Sequence, residues 1–194
     1  MADLFTVSEL ASYLQRDLDT SSATLAKESA QAIVRQYAQQ EFTSTTYTAA
    51  LLPIDVQGWG YVVNFPQRPV TAVSSVAVNG TTYTLGTDYA WNGFAPYIRL
   101  ADVESSTANF ADDPVATVTY TAGFATVPAD VKAVALAVAA RQYDNPTGVR
   151  QQSIDDYSVT RAGADDDLAG VTLLKAEAKI LDRYKVRAGS VPVR

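Results

Sequence analysis

Hydrophobic and polar positions change period twice along this chain. Over residues 5–41 the apolar positions recur every three to four residues, the spacing of helices with one buried face. Thr6-Val7-Ser8-Glu9 has the form of a capping box, with Thr6 as N-cap and Glu9 reaching back to its amide. Val7, Leu10, Ala11 and Leu14 then share a face. Asp19-Thr20-Ser21-Ser22 is turn and cap chemistry. Beyond it Leu25, Ser29, Ala32, Ile33, Gln36 and Tyr37 predict an amphipathic helix over about 22–41, whose small residues Ala26, Ser29, Ala30 and Ala32 admit a second helix at close range.

From Thr43 the period shortens to two, with Thr, Tyr and Val interrupted by Gly and Pro, which predicts strands and turns. Strands are expected at 46–52, 60–65, 72–78, 81–85, 97–100 and 115–121. The clearest hairpin joins Val73–Val78 to Thr81–Leu85 through Asn79-Gly80, a pair that tolerates the positive φ angles of a type I′ turn. Pro66 and Pro69 bracket an extended entry into it, and the polar stretch 101–114 is expected to be a surface loop.

The helical period returns at Val127-Pro128-Ala129-Asp130, where proline suits a first turn and an acidic residue complements the helix dipole. Val131, Val134, Ala135, Val138 and Ala139 form a buried stripe. Leu136 and many alanines leave this helix apolar around most of its girth, so it is expected at the centre of a helical packing. Asn145-Pro146 ends it. Residues 146–170 hold three glycines and five aspartates without a sustained period, the signature of a long flexible loop with a short strand near Tyr157-Ser158-Val159. A last helix is expected over about 171–186, followed by a tail, 188–194, that cannot continue it.

The expected fold is therefore α+β: a helical bundle from the N- and C-terminal helices with a small antiparallel β-lobe inserted. Its boundaries are residues 1–42 and 122–187 for the helical part, 43–121 for the lobe, 146–170 for the loop and 188–194 for the tail.

Composition narrows the chemistry. The 194 residues include no cysteine and no histidine. That removes thiol nucleophiles, disulfides and thiolate metal sites, together with the usual neutral-pH base. Carboxylate chemistry and oxygen-ligated cations remain open. No apolar run approaches the roughly 18 residues of a membrane span, and Met1-Ala2-Asp3-Leu4 does not open a secretory signal, so a cytosolic origin is expected. The net charge of −6 is uneven: residues 171–194 carry a net +4 and the preceding 170 a net −10. A body this acidic argues against holding nucleic acid, while the basic end suits an acidic partner surface.

The order of elements, with Val118-Thr119-Tyr120-Thr121-Ala122-Gly123-Phe124 running into Val127-Pro128-Ala129-Asp130-Val131-Lys132, resembles the head–tail connector (adaptor, or head completion) proteins of long-tailed bacteriophages. In that family a strand ending V-x-Y-x-A-G-[FY] leads into a V-P-x-[DE]-[LV]-K helix start, and the helix ends near an aromatic, here Tyr143-Asp144-Asn145. Phe5–Leu14 is similar to the family's first helix and Arg68–Val78 to its first hairpin strand. The resemblance covers roughly 5–145, and the β insertion is long beside purely helical members. It implies a non-enzymatic virion protein at the head–tail interface, made in the host cytoplasm and needing no cofactor. It implies a ring, dodecameric in the family, beneath the portal protein. Such a ring would extend the DNA exit channel and meet a stopper or tail-completion protein. DNA would pass as cargo without sequence-specific contacts, and no membrane is involved.

Tyr184, Lys185, Arg187, Val191, Val193 and Arg194 are the expected portal-docking residues, since they mix apolar anchors with positive charge on an extended tail. Asp155, Asp156, Tyr157 and Arg161 are expected in a loop ordered by assembly. Other readings are weaker. Asp165-Asp166-Asp167 beside Asp155-Asp156 lacks the spacing of a calcium loop, and a solvated loop is the better account. Asp112-Asp113 and Asp155-Asp156 as acid and base would make a carboxylate-dependent hydrolase, but adjacent loop residues rarely converge on one substrate. Trp59, Tyr61, Trp91, Phe94 and Tyr97 as an aromatic platform would make a carbohydrate-binding β-module, although aromatic residues in strands more often pack the sheet.

Overall fold

The computed structural model describes residues 2–57, 60–93, 95–101, 115–146, 151–154, 157–160 and 173–185. The chain divides into two compact units, Met1–Phe42 with Val127–Arg194, and Thr43–Thr126.

In the first unit α1 (Val7–Leu14) opens on the expected capping box: Thr6 Oγ1 accepts from the Glu9 amide at 3.2 Å, and Glu9 Oε2 accepts from the Thr6 amide at 2.7 Å. Asp19 caps α2 (Thr20–Ala38) by accepting from the Ser22 amide at 2.8 Å. Pro128 stands at the N-cap of α3 (Ala129–Asp144), and Asn145 closes its C-terminus. The stripe Val131, Val134, Ala135, Val138 and Ala139 is buried as expected. α3 is the hub, packing against α1, α2 and the short α4 (Lys175–Leu181). That last helix is much shorter than the expected 171–186. Glu177 folds back to accept from the Leu174 amide at 2.9 Å, which marks its start.

The α2 face was misjudged by its apolar pattern. The buried residues are Ala23, Ala26, Ala30, Gln31, Val34 and Ala38. Leu25 is 69% exposed, and Ala32 and Gln36 are exposed with it. A stripe of alanines packs against the alanine-rich α3 because two small-residue faces allow the helix axes to approach closely. A leucine in that seam would hold them apart.

The second unit holds a seven-stranded antiparallel sheet. Its strands are β1 (Thr45–Gln57), β2 (Gly60–Asn64), β3 (Val70–Val78), β4 (Thr81–Tyr83), β5 (Tyr89–Ala90), β6 (Tyr97–Leu100) and β7 (Val115–Ala122), in the order β4-β3-β7-β1-β2-β6-β5. β1 pairs with β7 from Thr45 to Pro53 and with β2 from Ile54 onward. The strand thus passes from one half-sheet to the other at Pro53. The two edge strands, β4 and β5, are consecutive in sequence, and Leu85, just past β4, bridges to Tyr89 of β5, so the sheet nearly closes on itself. Alternate residues fill the interior: Leu52, Ile54, Val63, Phe65, Val76, Val78, Ile98, Leu100, Val118 and Tyr120.

This corrects the expected fold. The β part is not a small lobe inserted in a helical bundle; it is a nearly closed, barrel-like sheet of seven strands with its own core. Two features hid this. β1 continues through Pro53 to Gln57, where proline would ordinarily end a central strand; it is tolerated because the β7 ladder stops there and the β2 ladder starts one residue later. The closing strand β5 is two residues long, too short to carry a period. The Asn79-Gly80 hairpin is as expected, with φ of 51° and 81°. Within the expected loop 146–170, β8 (Gln151–Ile154) and β9 (Tyr157–Thr160) pair as a two-stranded hairpin.

Candidate assembly surfaces

Gly123, between β7 and α3, has φ +105°, and a Cβ there would lie 2.2 Å from the Thr43 carbonyl oxygen. Its amide donates to Pro69 O at 2.9 Å, while Ser44 N donates to Phe124 O at 3.0 Å. Only glycine fits both the φ and the contact. The Ala122-Gly123-Phe124 motif therefore works as a backbone junction.

α4 is fastened at both ends. At its start Arg141 of α3 makes a two-pronged pair with Glu177, at 2.6 and 2.7 Å, with both side chains largely buried. Such a fork-shaped pair is directional and strong when shielded from water. At its end Tyr184 Oη donates to the Asp130 carboxylate at 2.8 Å, and Arg183 joins the same group at 2.9 Å. The Tyr184 ring meets Phe42 edge-on, at 5.6 Å between centroids. Burial and the Asp130 bond hold the Tyr184 hydroxyl above the ordinary phenol range. Tyr37 Oη donates to Asp182 at 2.7 Å, which raises its pKa, and the Lys185 ammonium lies 4.8 Å over the Tyr37 ring.

Of the expected docking residues, the structure therefore places Tyr184 and Lys185 side by side against α2 and α3, both engaged within the helical unit. Arg187, Val191, Val193 and Arg194 lie outside the described residues. So do Asp155, Asp156 and Arg161 of the expected assembly loop, while Tyr157 begins β9. The acidic runs Asp112-Asp113 and Asp165-Asp166-Asp167 are outside as well. Among the described residues no cluster of acidic side chains is arranged to hold a metal ion. Likewise no described helix is long and apolar enough to cross a membrane.

The aromatic platform is not assembled as one surface by the described residues. Trp91 is half-buried, with its indole N–H donating to Ala95 O at 3.0 Å, and packs against the sheet core together with Tyr61. Trp59 and Phe94 lie outside the described residues.

The rest of the helical unit is laced by polar contacts. Asp3 pairs with Lys27 at 2.8 Å, and Arg35 pairs with Glu41 at 2.9 Å while donating to Ala2 O at 2.6 Å. Glu9 pairs with Lys132, and Arg16 with Asp144. The Lys27 bond lowers the Asp3 pKa, and the Lys132 bond lowers that of Glu9. Asp19 is pulled down to about 2 by the Ser22 amide and the Ser21 hydroxyl. Among the described residues no ion pair reaches Glu28 on α2 or Lys179 on α4, and both are exposed.

Large apolar side chains also remain on the surface. In the helical unit they are Tyr13 and Leu25; in the β unit Leu51, Val56, Leu85 and Val115. Leu51 and Val115 lie on the outer face of neighbouring strands, with Leu51 opposite Thr117 and Val115 opposite Pro53. Sequence periodicity missed all of them as surface features. Leu25 was assigned inward, and Leu51-Leu52 gives no sign of which residue faces out.

No protein-family model matches the chain, and no curated protein matches it. Solved structures do. A chain from the neck of an empty GTA particle, computed with C6 symmetry, covers 97% of this chain and 93% of its own length, at 16% identity and a TM-score of 0.54. A chain from the neck of the native GTA particle, computed with C12 symmetry, covers 96% and 91%, at 18% identity and a TM-score of 0.53. The chain shares their fold. At such identities the likeness carries the path of the backbone and leaves the surface chemistry to be read from this sequence.

Proposed function

We propose that this protein is a structural, non-enzymatic subunit of the neck of a tailed phage or phage-like particle, working as a head–tail connector in a ring. The observation that carries the reading is the near full-length fold likeness to neck chains of particles treated with six- and twelve-fold symmetry. It agrees with the connector-like strand-to-helix motif around Gly123. In this reading the ring sits beneath the portal and extends the channel through which DNA leaves. The portal binds one side and a stopper or tail-completion protein the other. The net charge of −6 suits a passage along which DNA slides without being held.

Tyr184 and Lys185 start the portal-docking segment, which continues through Arg187, Val191, Val193 and Arg194. The 155–161 segment, at and after the β8–β9 hairpin, is an assembly element. A two-stranded hairpin is marginal alone and gains from being covered by a neighbour.

Light scattering on the purified chain, alone and mixed with the portal protein of the same particle, tests this. The expected result is a ring-sized mass, or a shift of the portal peak, that is lost when residues 186–194 are deleted. A strict monomer that leaves portal unchanged overturns the connector reading; a truncated chain that still joins portal overturns the docking segment.

A further inference from the structure

We infer that the outward face of α2 is one half of a subunit–subunit contact, and that α4 of a second copy of this chain covers it, with Glu28 of one copy facing Lys179 of the next. The inference rests on the ring reading above and names the surfaces that build the ring.

The face consists of Ser21, Leu25, Glu28, Ala32 and Gln36, spaced so that they form a single stripe along the helix, and all are exposed. Leu25 is 69% exposed. The subunit packs α2 through the other side, where Ala23, Ala26, Ala30, Val34 and Ala38 are buried. α2 thus has two packing-competent faces, an alanine seam that the subunit uses and a leucine-centred stripe that it does not. The stripe carries one charge, and it is negative.

Charge decides the occupant. A second α2 laid on this face in a two-fold dimer would bring Glu28 near Glu28. A partner with positive charge among small residues fits better. α4 presents such a surface within the same unit: Lys175, Ala176 and Lys179 are exposed, and the two lysines are one helical turn apart. Lys179 is therefore the charge on this surface that a carboxylate from a second copy can pair with. The other helix charges described above are engaged inside the subunit, whereas Glu28 and Lys179 have no ion pair among the described residues. An acidic face meeting a different, basic face is a head-to-tail contact, and head-to-tail contacts repeated around an axis close into rings.

The test uses the full chain and charge reversal. Glu28→Lys and Lys179→Glu, made singly, each set like charges face to face and are expected to weaken association at least tenfold in sedimentation or light scattering. The double reversal is expected to restore it. Leu25→Glu is expected to abolish association without rescue by either reversal. Because the chain has no cysteine, Glu28→Cys and Lys179→Cys chains can be mixed and bridged by a short bis-maleimide, and the expected product joins two different chains at these positions. Thermal melting of each variant checks that the subunit itself is intact. Association unchanged by both reversals, or cross-links absent in an assembled ring, overturns this interface and leaves the ring reading standing. A wild-type chain that assembles neither alone nor with portal overturns the ring reading itself.

Discussion

The β unit is filled by large side chains. Tyr120 is buried between Tyr47, stacked at 5.0 Å, and Phe65, at 4.7 Å, with Ile54, Ile98 and Leu100 around them. In the helical unit the seam between α2 and α3 is lined by small ones, Ala23, Ala26, Ala30, Ala38, Ala135, Ala139 and Ala140, while Leu4, Phe5, Leu10, Phe42 and Leu181 are buried elsewhere in the same unit. Alanine removes little apolar area from water, and stabilisation follows the area removed. Polar contacts make up part of the difference: the ion pairs described above, from Lys27–Asp3 to Arg141–Glu177, all belong to the helical unit. One half is thus secured by shape and burial, the other by close helix approach and directed charge. The second kind of packing leaves more of a helix surface available for partners, as the outward face of α2 illustrates.

The largest effect is expected where the β unit depends on shape at its junction. Gly123→Ala places a Cβ 2.2 Å from Thr43 O at a φ of +105°. It should destabilise the protein by more than about 3 kcal/mol, the range of substitutions that force the backbone to move. Near-ultraviolet circular dichroism from the Tyr47–Tyr120 stack is the readout. An unchanged spectrum and melting temperature would mean the junction is not held as described.

A smaller loss is expected from a well-shielded pair of the helical unit, Arg141–Glu177. Glu177→Gln removes the charge opposite Arg141 while keeping the side chain's shape. It leaves a guanidinium 22% exposed without its counterion. Removing one partner of a fully buried pair costs roughly 3–5 kcal/mol; for this partly buried pair about 2 kcal/mol is expected. Chemical denaturation at low and high salt checks it, and the loss should persist at 1 M salt because the pair is shielded. A loss that vanishes with salt would place this pair with ordinary surface pairs, worth under about 1 kcal/mol.

These two sites also show what was legible in the sequence. The Thr6–Glu9 box and the Asn79-Gly80 turn were legible because each is determined by residues a few positions apart; Gly123 was legible as a bend, but the Thr43 contact that requires it comes from a distant part of the chain. The α3 stripe was legible because α3 is itself the hub, and its valines and alanines are buried against the helices around it. The α2 face was not. Hydropathy ranks Leu25 and Ile33 above Ala23 and Ala26, but the seam selects for size once the partner helix is alanine-rich. The closure of the sheet was not legible either, because it depends on β1 changing partners at Pro53 and on a two-residue strand. The expected docking residues were visible only as charge and apolarity near the end of the chain. Nothing local says that Tyr184 turns inward to Asp130.

The smallest effect at neutral pH concerns Tyr120. Burial, with a lesser contribution from Tyr47, pushes its hydroxyl up to about 12 from an ordinary value of 10. The folded state therefore holds this proton more tightly than the unfolded chain does. Its contribution to stability is complete below pH 10 and is lost as pH rises from about 10 through about 12. Tyr120→Phe has no proton to lose, so it should shift stability by less than about 1 kcal/mol at pH 7 and flatten the alkaline fall over that window. Tyr89 is also raised by burial, and Tyr184 and Tyr37 of the helical unit are raised too; all contribute in the same direction, so part of the fall remains in the variant. Urea unfolding at pH 7, 10 and 11 measures it. A fall of equal steepness in both proteins would mean that the hydroxyl is not shielded in the sheet interior.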